Sequence, residues 1–319
     1  MARSSVSTFA DPYSLQAAAR NGEYDFLVRE RGNFSADLTK IDLNRLWIQQ
    51  TRINLPFLLR VVPSPERVSV NLLLAGEHPS ILKNNTEFTA QQICLYRGEM
   101  AHFQTQGSSW VSGMSLPREE LVSTVGSISC RPFALPSATS YLRPSAVPFA
   151  RLRRLHQKAG KLAMSAPEVL SVPAVATAFE QALLHTMAAC LTTDAVETTT
   201  GCRKHMKIVK RFEDFLATRQ YRPVYLAEMC MAVGASERTL RACCQEHLGM
   251  GPVRYLWLRR MHLARRALLR ANPAASTVTT VATDHGFWEL GRFSVEYRAL
   301  FGELPRDTLR QAPEAMSKM

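Results

Sequence analysis

Six arginines lie in one stretch of the chain that contains no acidic residue. The stretch runs from Pro252 to Ala271, and its arginines are Arg254, Arg259, Arg260, Arg265, Arg266 and Arg270. A guanidinium group is always charged, and its planar fork of N–H donors matches phosphate oxygens and the edge of guanine. Apolar residues recur in the same stretch at helical spacing, at Trp257, Met261, Ala264 and Leu268. The pattern predicts one long helix with a buried stripe and a cationic surface.

The positive charge of the whole chain is concentrated in its last third. The net charge is +12 over 319 residues. Residues 1–200 hold 19 Lys/Arg and 16 Asp/Glu, whereas residues 201–319 hold 20 and 11. This asymmetry indicates one nearly neutral body and one basic body with a polyanionic partner. The hydrophobic fraction of 46% is ordinary for a globular protein and excludes disorder as the main state.

The basic part of the chain contains an internal repeat. Four residues of the first copy have counterparts 52 residues later: Leu226, Met229, Cys230 and Gly234 correspond to Val278, Val281, Ala282 and Gly286. Five more have counterparts 53 residues later: Leu240, Cys244, Gly249, Pro252 and Leu256 correspond to Phe293, Tyr297, Gly302, Pro305 and Leu309. Each copy predicts a short apolar helix, a turn containing glycine, a second helix and then Gly-x-x-Pro.

These features are typical of a helix-turn-helix unit. The small residue four positions before the glycine allows two helices to cross closely, and the glycine permits the sharp turn. Ser236 is placed to cap the second helix by accepting hydrogen bonds from its free amides. Leu240 and Cys244, four residues apart, would hold that helix to the core. Its opposite face is then free to enter a major groove.

At these residues the chain resembles the AraC family of transcription regulators. The resemblance covers residues 204–311 and includes Ser236-x-x-x-Leu240, Gly249-x-x-Pro252-x-x-Tyr255-Leu256, Arg260-Met-His-Leu-Ala264-Arg265, Val281-Ala282-x-x-x-Gly286-Phe287, Phe293-Ser294 and Phe301-Gly302-x-x-Pro305. It implies a seven-helix domain whose two recognition helices enter successive major grooves of double-stranded DNA. The sequence departs from the family at Cys244, where an aromatic residue is usual, and at Ala242 and Val295, where arginine is often found.

Nine residues are candidate DNA contacts. In the first recognition helix, Arg238 and Arg241 are candidates for reading bases, and Gln245 for contacting adenine or the backbone. Arg292 and Ser294 would have the reading role in the second, while Arg259 and Arg298 would contact phosphate and position the protein without specifying sequence. The full set of predicted contacts is Ser236, Arg238, Thr239, Arg241, Gln245, Arg259, Arg292, Ser294 and Arg298. For Arg238 and Arg241, phosphate contact or solvent exposure without a DNA contact is the alternative to base reading.

The cysteines predict neither a disulfide framework nor a metal site. Their number is seven, which is odd, and no Cys-x-x-Cys occurs. The adjacent Cys243 and Cys244 fall at core positions of a helix, where a free thiol behaves as a small hydrophobic group. Redox sensing is the alternative. We therefore predict no bound metal, no cofactor and a reducing, cytoplasmic compartment.

Short apolar or β-branched stretches dominate residues 46–116, and turn residues separate them. The stretches are Leu46–Ile53, Phe57–Val62, Arg67–Leu74, Gln92–Arg97 and Ser109–Leu116. They predict an all-β sandwich or small barrel. The first forty residues are expected to wrap the surface. A helix is expected to begin at Pro117, an irregular crossing to cover 132–148, and two further helices to cover about 149–164 and 172–191.

Catalytic motifs are absent from the first 200 residues. Gly-x-Ser-x-Gly, Walker and dinucleotide-binding patterns do not occur, and four histidines show no His-x-His pairing: His78, His102, His156 and His185. In the AraC family, a β-rich N-terminal body followed by helices usually resembles a degenerate cupin that senses an effector and dimerises. We therefore predict that the protein is not an enzyme.

The sequence as a whole predicts an α+β protein. A β-rich, cupin-like domain with trailing helices would occupy 1–191, a linker 192–203, an all-α domain of about seven helices with two helix-turn-helix units 204–311, and a tail 312–319. The predicted function is sequence-specific regulation of transcription under the control of an unidentified small effector. Promoter DNA, a second copy of the chain and RNA polymerase are the expected partners. The chain should not cross a membrane, because its apolar runs fall short of the roughly 18–20 residues that a span needs.

Two other functions remain open from sequence. One is a cupin-type metal enzyme fused to a DNA-binding module, which metal content would reveal. The other is a DNA-binding protein without sequence preference, for which promoter and random DNA would bind alike at fixed salt.

Overall fold

Two units make up the described part of the chain. The computed structural model describes residues 2–75, 80–83, 85–96, 100–136, 139–192, 196–198, 203–219 and 224–311. The first unit comprises Met1–Phe26 and Phe34–Thr200, and the second comprises Leu27–Asn33 and Gly201–Met319. The short segment Leu27–Asn33 therefore groups with the second unit. The predicted tail, 312–319, and His78 lie outside the described residues.

The first unit is built mainly of antiparallel strands. They are β1 (Arg3–Phe9), β2 (Gly22–Val28), β3 (Ala36–Leu43), β4 (Leu46–Ile53), β5 (Phe57–Pro63), β6 (Arg67–Ala75), β7 (Ser80–Lys83), β8 (Thr86–Thr89), β9 (Ile93–Tyr96), β10 (Ala101–Gln104), β11 (Ser109–Pro117), β12 (Ser140–Leu142) and β13 (Val196–Thr198). They form a large sheet in the order β1-β3-β4-β11-β6-β9-β12-β13 and a smaller sheet in the order β2-β5-β10-β7-β8. The β-rich prediction for this region is confirmed.

The two faces of the large sheet have different partners because successive side chains of a strand point to opposite faces. On β4, Leu46 and Ile48 join the core that includes the helices of this unit. Trp47 and Thr51, on the other face, line a cavity of about 150 Å³. Strands of the smaller sheet line the same cavity, among them β5 and β10. The cavity therefore lies between the two sheets.

Helices pack on one face of the large sheet. They are α1 (Pro12–Ala18), α2 (Arg118–Ser129), α3 (Ala146–Ser165), α4 (Pro167–Ser171) and α5 (Pro173–Leu191), and residues of α2, α3, α4 and α5 enter the main core. Buried Glu180 of α5 accepts hydrogen bonds from the backbone N–H groups of Arg45 and Leu46, both at 3.2 Å. This contact fixes α5 against the β3–β4 hairpin. The buried face of α5 packs in the core of this unit.

By length and composition alone, α5 is also the one described helix that could cross a membrane. Half of its most apolar window is buried inside the protein, as is common for a core helix.

Two local expectations were wrong, and the predicted linker contains a short strand. The first forty residues do not simply wrap the surface: Phe9 pairs with Ala36 at the end of the β1–β3 ladder, and Leu15 is fully buried. The segment expected to be irregular contains β12, and the predicted linker contains β13, which pairs with β12. These pairings join residues distant in sequence, so no local pattern predicts them. The domain boundaries themselves stay a prediction.

The second unit is helical. Its helices are α6 (Arg203–Thr218), α7 (Leu226–Val233), α8 (Glu237–Leu248), α9 (Pro252–Arg270), α10 (Val278–Asp284), α11 (Leu290–Phe301) and α12 (Pro305–Gln311). The seven helices agree with the predicted number for 204–311. Glycine, proline and capping residues mark the ends of these helices.

The long helix α9 packs against both halves of this unit. In the first half, the Tyr255 hydroxyl donates a 2.6 Å hydrogen bond to Glu213 of α6, and the ring contacts Phe212. In the second half, the rings of His262 on α9 and Phe301 on α11 meet edge-on, with centroids 5.2 Å apart. Phe293 and Tyr297 of α11 form a tilted aromatic pair, and the Tyr297 hydroxyl donates to Thr308 of α12. Burial raises the pKa of Tyr297 well above its ordinary value. Of the four residues in the predicted apolar stripe of α9, Met261, Ala264 and Leu268 are fully buried and Trp257 is half-buried.

Candidate nucleic-acid interface

The first helix-turn-helix unit consists of α7, a three-residue turn and α8. Gly234 ends α7 in the left-handed conformation, at φ 64° and ψ 41°, which a residue with a side chain adopts at a cost. The Ser236 hydroxyl accepts a 3.2 Å hydrogen bond from the Thr239 backbone N–H and so caps α8. Leu240 and Cys244 are completely buried. The predicted turn, cap and core residues of this unit are therefore confirmed.

One face of α8 carries the predicted contacts. Arg238, Arg241 and Gln245 are exposed and recur at a spacing of three and four residues, so they lie on one side of the helix. Ala242 is exposed on the same side. The face away from the core therefore presents two guanidinium groups and an amide.

Three of the predicted DNA contacts, Ser236, Thr239 and Arg241, already have hydrogen-bond partners on or beside α8. The Arg241 guanidinium donates to Glu237, with nitrogen–oxygen distances of 2.7 and 2.8 Å. The hydroxyls of Ser236 and Thr239 are hydrogen-bonded to each other at 2.9 Å. Ser236 and Thr239 therefore serve the helix cap, whatever their contacts to DNA.

The second helix-turn-helix unit consists of α10, a five-residue turn and α11. Thr277 caps α10 by accepting from the Thr280 backbone N–H at 3.1 Å. Gly286, in the turn, has a φ of +80°, and an added Cβ would lie 3.1 Å from the Arg260 guanidinium. Arg260 therefore packs against this turn, and burial lowers its pKa. The sequence pattern grouped Arg260 with the surface arginines. In the structure its guanidinium instead packs against the turn that contains Gly286.

The outer face of α11 carries the remaining contacts. Arg292, Val295 and Arg298 are exposed at a spacing of three residues, and Ser294 beside them is half-buried. The internal repeat aligns Arg241 with Ser294 and Gln245 with Arg298. The two recognition helices therefore present different chemical groups at equivalent positions, as expected for a protein that reads two unlike DNA segments.

Glu296 links α11 to α9. It accepts hydrogen bonds from Arg292 at 2.8 Å and from the Trp257 indole N–H at 2.7 Å. Burial alone would raise the pKa of Glu296, but hydrogen bonds from Arg292 and Trp257 outweigh it and hold the pKa below its ordinary value. The same carboxylate raises the pKa of Arg292. Arg292 is therefore oriented by a partner one turn along the helix, as Arg241 is.

The arginines of α9 do not form one uniform surface. Arg254 lies 3.8 Å over the Trp257 ring, and Arg265 pairs with Glu303 at 3.0 Å. Arg259, the predicted phosphate contact, is half-buried, whereas Arg270 is exposed. α9 itself contains no acidic residue. The acid that pairs with Arg265 is Glu303, which lies outside α9. The sequence missed this pair because it joins residues 38 positions apart.

Sequence reasoning also missed a group of titratable side chains. His205 of α6 lies against Glu246 and His247 at the end of α8. Tertiary packing brings α6 and α8 together, and no motif in the sequence signals it.

The cysteines lie where the core prediction places them. Cys243 and Cys244 are fully buried, and burial raises the pKa of Cys244 to about 12. Such a thiol is a poor nucleophile at neutral pH.

Comparison with known proteins supports the assignment of this domain. A family model described as a helix-turn-helix domain matches residues 229–311. The "Probable thc operon regulatory protein" of Rhodococcus erythropolis is 41% identical over 106 residues, which is 33% of this chain and 32% of that protein. The "XylDLEGF operon transcriptional activator 3" of Pseudomonas putida is 34% identical over 111 residues, or 35% of this chain and 32% of that protein. The chain thus matches about a third of the length of these relatives.

Two solved structures are among those to which the chain is similar. A probable AraC family transcriptional regulator from Rhodopseudomonas palustris is 30% identical, with 33% of this chain and 98% of that chain covered and a TM-score of 0.30. The AraC-like transcriptional activator CuxR is 15% identical over 82% of this chain and 95% of that chain, with a TM-score of 0.44.

Proposed function

We propose that the chain is a member of the AraC family of transcriptional regulators, that it binds promoter DNA in a sequence-specific way and that it regulates transcription. The observation that carries this proposal is the pair of helix-turn-helix units, each with an exposed helix face that bears arginine. Base reading is assigned to Arg238, Arg241, Arg292 and Ser294, with Gln245 as a further contact, and phosphate binding to Arg259 and Arg298. The relatives matched by sequence are named as operon regulators, which supports a role other than catalysis.

The test is a selection of duplexes from a random library by the full-length protein. Selected and scrambled duplexes are then compared at one salt concentration. A specific regulator should bind the selected site about 10³-fold or more tightly than the scrambled one. Equal binding of both duplexes would replace this proposal by DNA binding without sequence preference.

Control by a small effector is the second part of the proposal, and the cavity between the sheets supports it. Its walls are mainly apolar and aromatic, with Tyr24, Phe57, Tyr96 and Phe103 among them. Polar groups lie in the same lining, namely Arg20, Asn21, Gln49, Ser69 and Asn71. An apolar cavity with a few convergent polar groups is the usual form of a small-molecule site. His102 is buried but does not line it.

Filling the cavity tests this part. Val111 lines the cavity, so Val111→Phe should abolish the response of DNA binding to an effector while leaving basal binding intact. Val6→Phe, at an exposed position on β1, is the matched control and should keep the response. A normal response in Val111→Phe would show that the effector binds elsewhere.

The remaining expectations belong to the same proposal: a homodimer that contacts RNA polymerase, acts in the cytoplasm and has no catalytic activity. The alternative of a cupin-type metal enzyme needs a cluster of ligands in the first unit. Within the described ranges, the one group of three His, Cys, Asp or Glu residues close enough to share an ion lies in the second unit.

A further inference from the structure

A cluster of three potential metal ligands joins the first helix of the DNA-binding unit to its first recognition helix. His205 Nδ1 lies 2.6 Å from Glu246 Oε2, and His247 Nε2 lies 3.6 Å from Glu246 Oε1. One ligand atom from each side chain can be chosen so that all three lie within 4.8 Å of one another. The carboxylate therefore lies between two imidazole rings.

The set matches a known coordination chemistry. Two imidazole nitrogens and one carboxylate oxygen are ligands that Zn²⁺ accepts, with bonds of about 2.0–2.2 Å and a fourth position left to water. In tetrahedral geometry such ligand atoms are about 3.3 Å apart. The His205 and His247 nitrogens lie 2.6 and 3.6 Å from different oxygens of the same carboxylate, and one ligand atom from each of the three side chains lies within 4.8 Å of the other two. The three side chains are therefore close enough together to face one ion.

The three side chains differ in exposure, in a way that would let an ion enter the site and be held there. The His247 side chain is 1% exposed, whereas those of His205 and Glu246 are 32% and 25% exposed. An ion would thus reach the site through His205 and Glu246 and be enclosed on the side of His247. A hydrogen bond between His205 and Glu246 would by itself explain why these two side chains meet. It does not explain why His247 lies beside them.

We propose that His205, Glu246 and His247 bind a divalent transition-metal ion of the Zn²⁺ type, which ties α6 to the C-terminal end of α8. Because α8 carries Arg241 and Gln245 on its outer face, the ion would fix the orientation of the helix that presents these contacts. This site is separate from the cavity of the first unit and does not depend on the identity of the effector.

The experiment uses the full-length protein after chelation and dialysis. Zn²⁺ is titrated by calorimetry, and the melting temperature is followed in parallel. We expect one equivalent to bind and to raise the melting temperature, since an ion that binds only the folded state stabilises it. Mg²⁺ should have no effect because imidazole is a poor ligand for it. Co²⁺ should develop a visible absorption band that reports its ligands.

Two variants test the residues. His205→Ala removes a ligand, and Glu246→Gln removes the anionic oxygen while leaving an amide that can still hydrogen-bond to His205. Both should weaken Zn²⁺ binding by about tenfold or more and change the Co²⁺ spectrum. Glu246→Gln should leave the melting temperature of the metal-free protein close to that of the wild type, which separates metal binding from folding.

Matched controls exclude other donors. His185→Ala removes an exposed histidine of α5, and Cys130→Ser removes an exposed thiol; both should bind Zn²⁺ as the wild type does. The proposal is overturned if the wild type binds no stoichiometric Zn²⁺, if His205→Ala and Glu246→Gln bind normally, or if either control loses the ion. DNA is absent from these measurements, so their failure would leave the proposed regulatory function untouched.

Discussion

Arg241 and Glu237 lie one turn apart on α8, and a guanidinium nitrogen of Arg241 is 2.7 Å from the Glu237 carboxylate. Both side chains are more than half exposed, at 53% and 56%. Such an exposed pair contributes little to stability. Its effect is to hold Arg241 along the outer face of the helix. DNA bound as we propose would have to share or displace Glu237 to contact this arginine.

Replacing Arg241 should separate base reading from positioning. Arg241→Ala should lose about 1–3 kcal/mol on the selected site and relax preference at one or two base pairs. Arg259→Ala, on α9, should weaken selected and random DNA alike. The measurement is a binding titration of each variant with both duplexes. The same loss on both duplexes in both variants would reject Arg241 as a reading residue while leaving the fold intact.

Removing the charge of Glu237 should strengthen DNA binding. Glu237→Gln frees Arg241 and removes a negative charge beside the phosphates, so we expect affinity to rise by up to about fivefold, or about 1 kcal/mol. Glu168→Gln, exposed on α4 in the first unit, is the matched control and should change nothing. Weaker binding by Glu237→Gln at unchanged melting temperature would mean that Arg241 needs its partner for orientation.

Salt should weaken binding steeply. Contacts from α8, α9 and α11 to several phosphates predict a log–log slope of roughly −0.9 per contact. Arg259→Ala should reduce this slope by about one contact, whereas a base-reading arginine should change it less. Titrations over a range of salt concentrations measure the slope, and a nearly flat dependence would contradict the assignment of this surface.

Substitutions at two glycines test the turn of the second helix-turn-helix unit, which contains Gly286. Gly286→Ala puts a residue with a side chain in a backbone with φ +80°, and its Cβ would lie 3.1 Å from the Arg260 guanidinium. It should therefore destabilise the protein by about 1–3 kcal/mol. In Gly291→Ala, an added Cβ on α11 meets no atom within 4 Å, and this variant should be neutral or more stable by up to about 1 kcal/mol. Denaturant unfolding compares them. Equal stability of the two variants would show that the turn tolerates other conformations.

Stability should fall in acid partly through His156. This side chain is fully buried, its Nδ1 lies 2.6 Å from the Ser112 hydroxyl, and burial lowers its pKa from 6.5 to about 3. Between those values the unfolded chain binds a proton that the folded protein does not. The free energy of unfolding should therefore decrease by about 1.4 kcal/mol for each pH unit below about 6.5, until about pH 3.

His156→Asn should remove this contribution. Burial also lowers the pKa of His262, to about 4, so a second histidine maintains part of the acid sensitivity in the variant. Melting curves from pH 7 to pH 4 should show a shallower decrease in His156→Asn than in the wild type. Parallel decreases would contradict a neutral, buried His156.

The amino-acid sequence by itself determined the helical unit. Its helices, the Ser236 cap and the Gly234 turn depend on residues within about one turn of each other, and such local preferences can be read directly from spacing. The repeat added a second copy of the same pattern, so agreement between the copies identified the helix-turn-helix units.

Only the tertiary structure decided the features that join distant residues. Phe9 pairs with Ala36 across the β1–β3 ladder, Arg265 pairs with Glu303, and His205 meets Glu246 from a position 41 residues away. The cavity likewise depends on how two sheets face each other. These contacts form because burial of apolar surface brings whole elements together, and no spacing within a single element encodes which side chains then become neighbours.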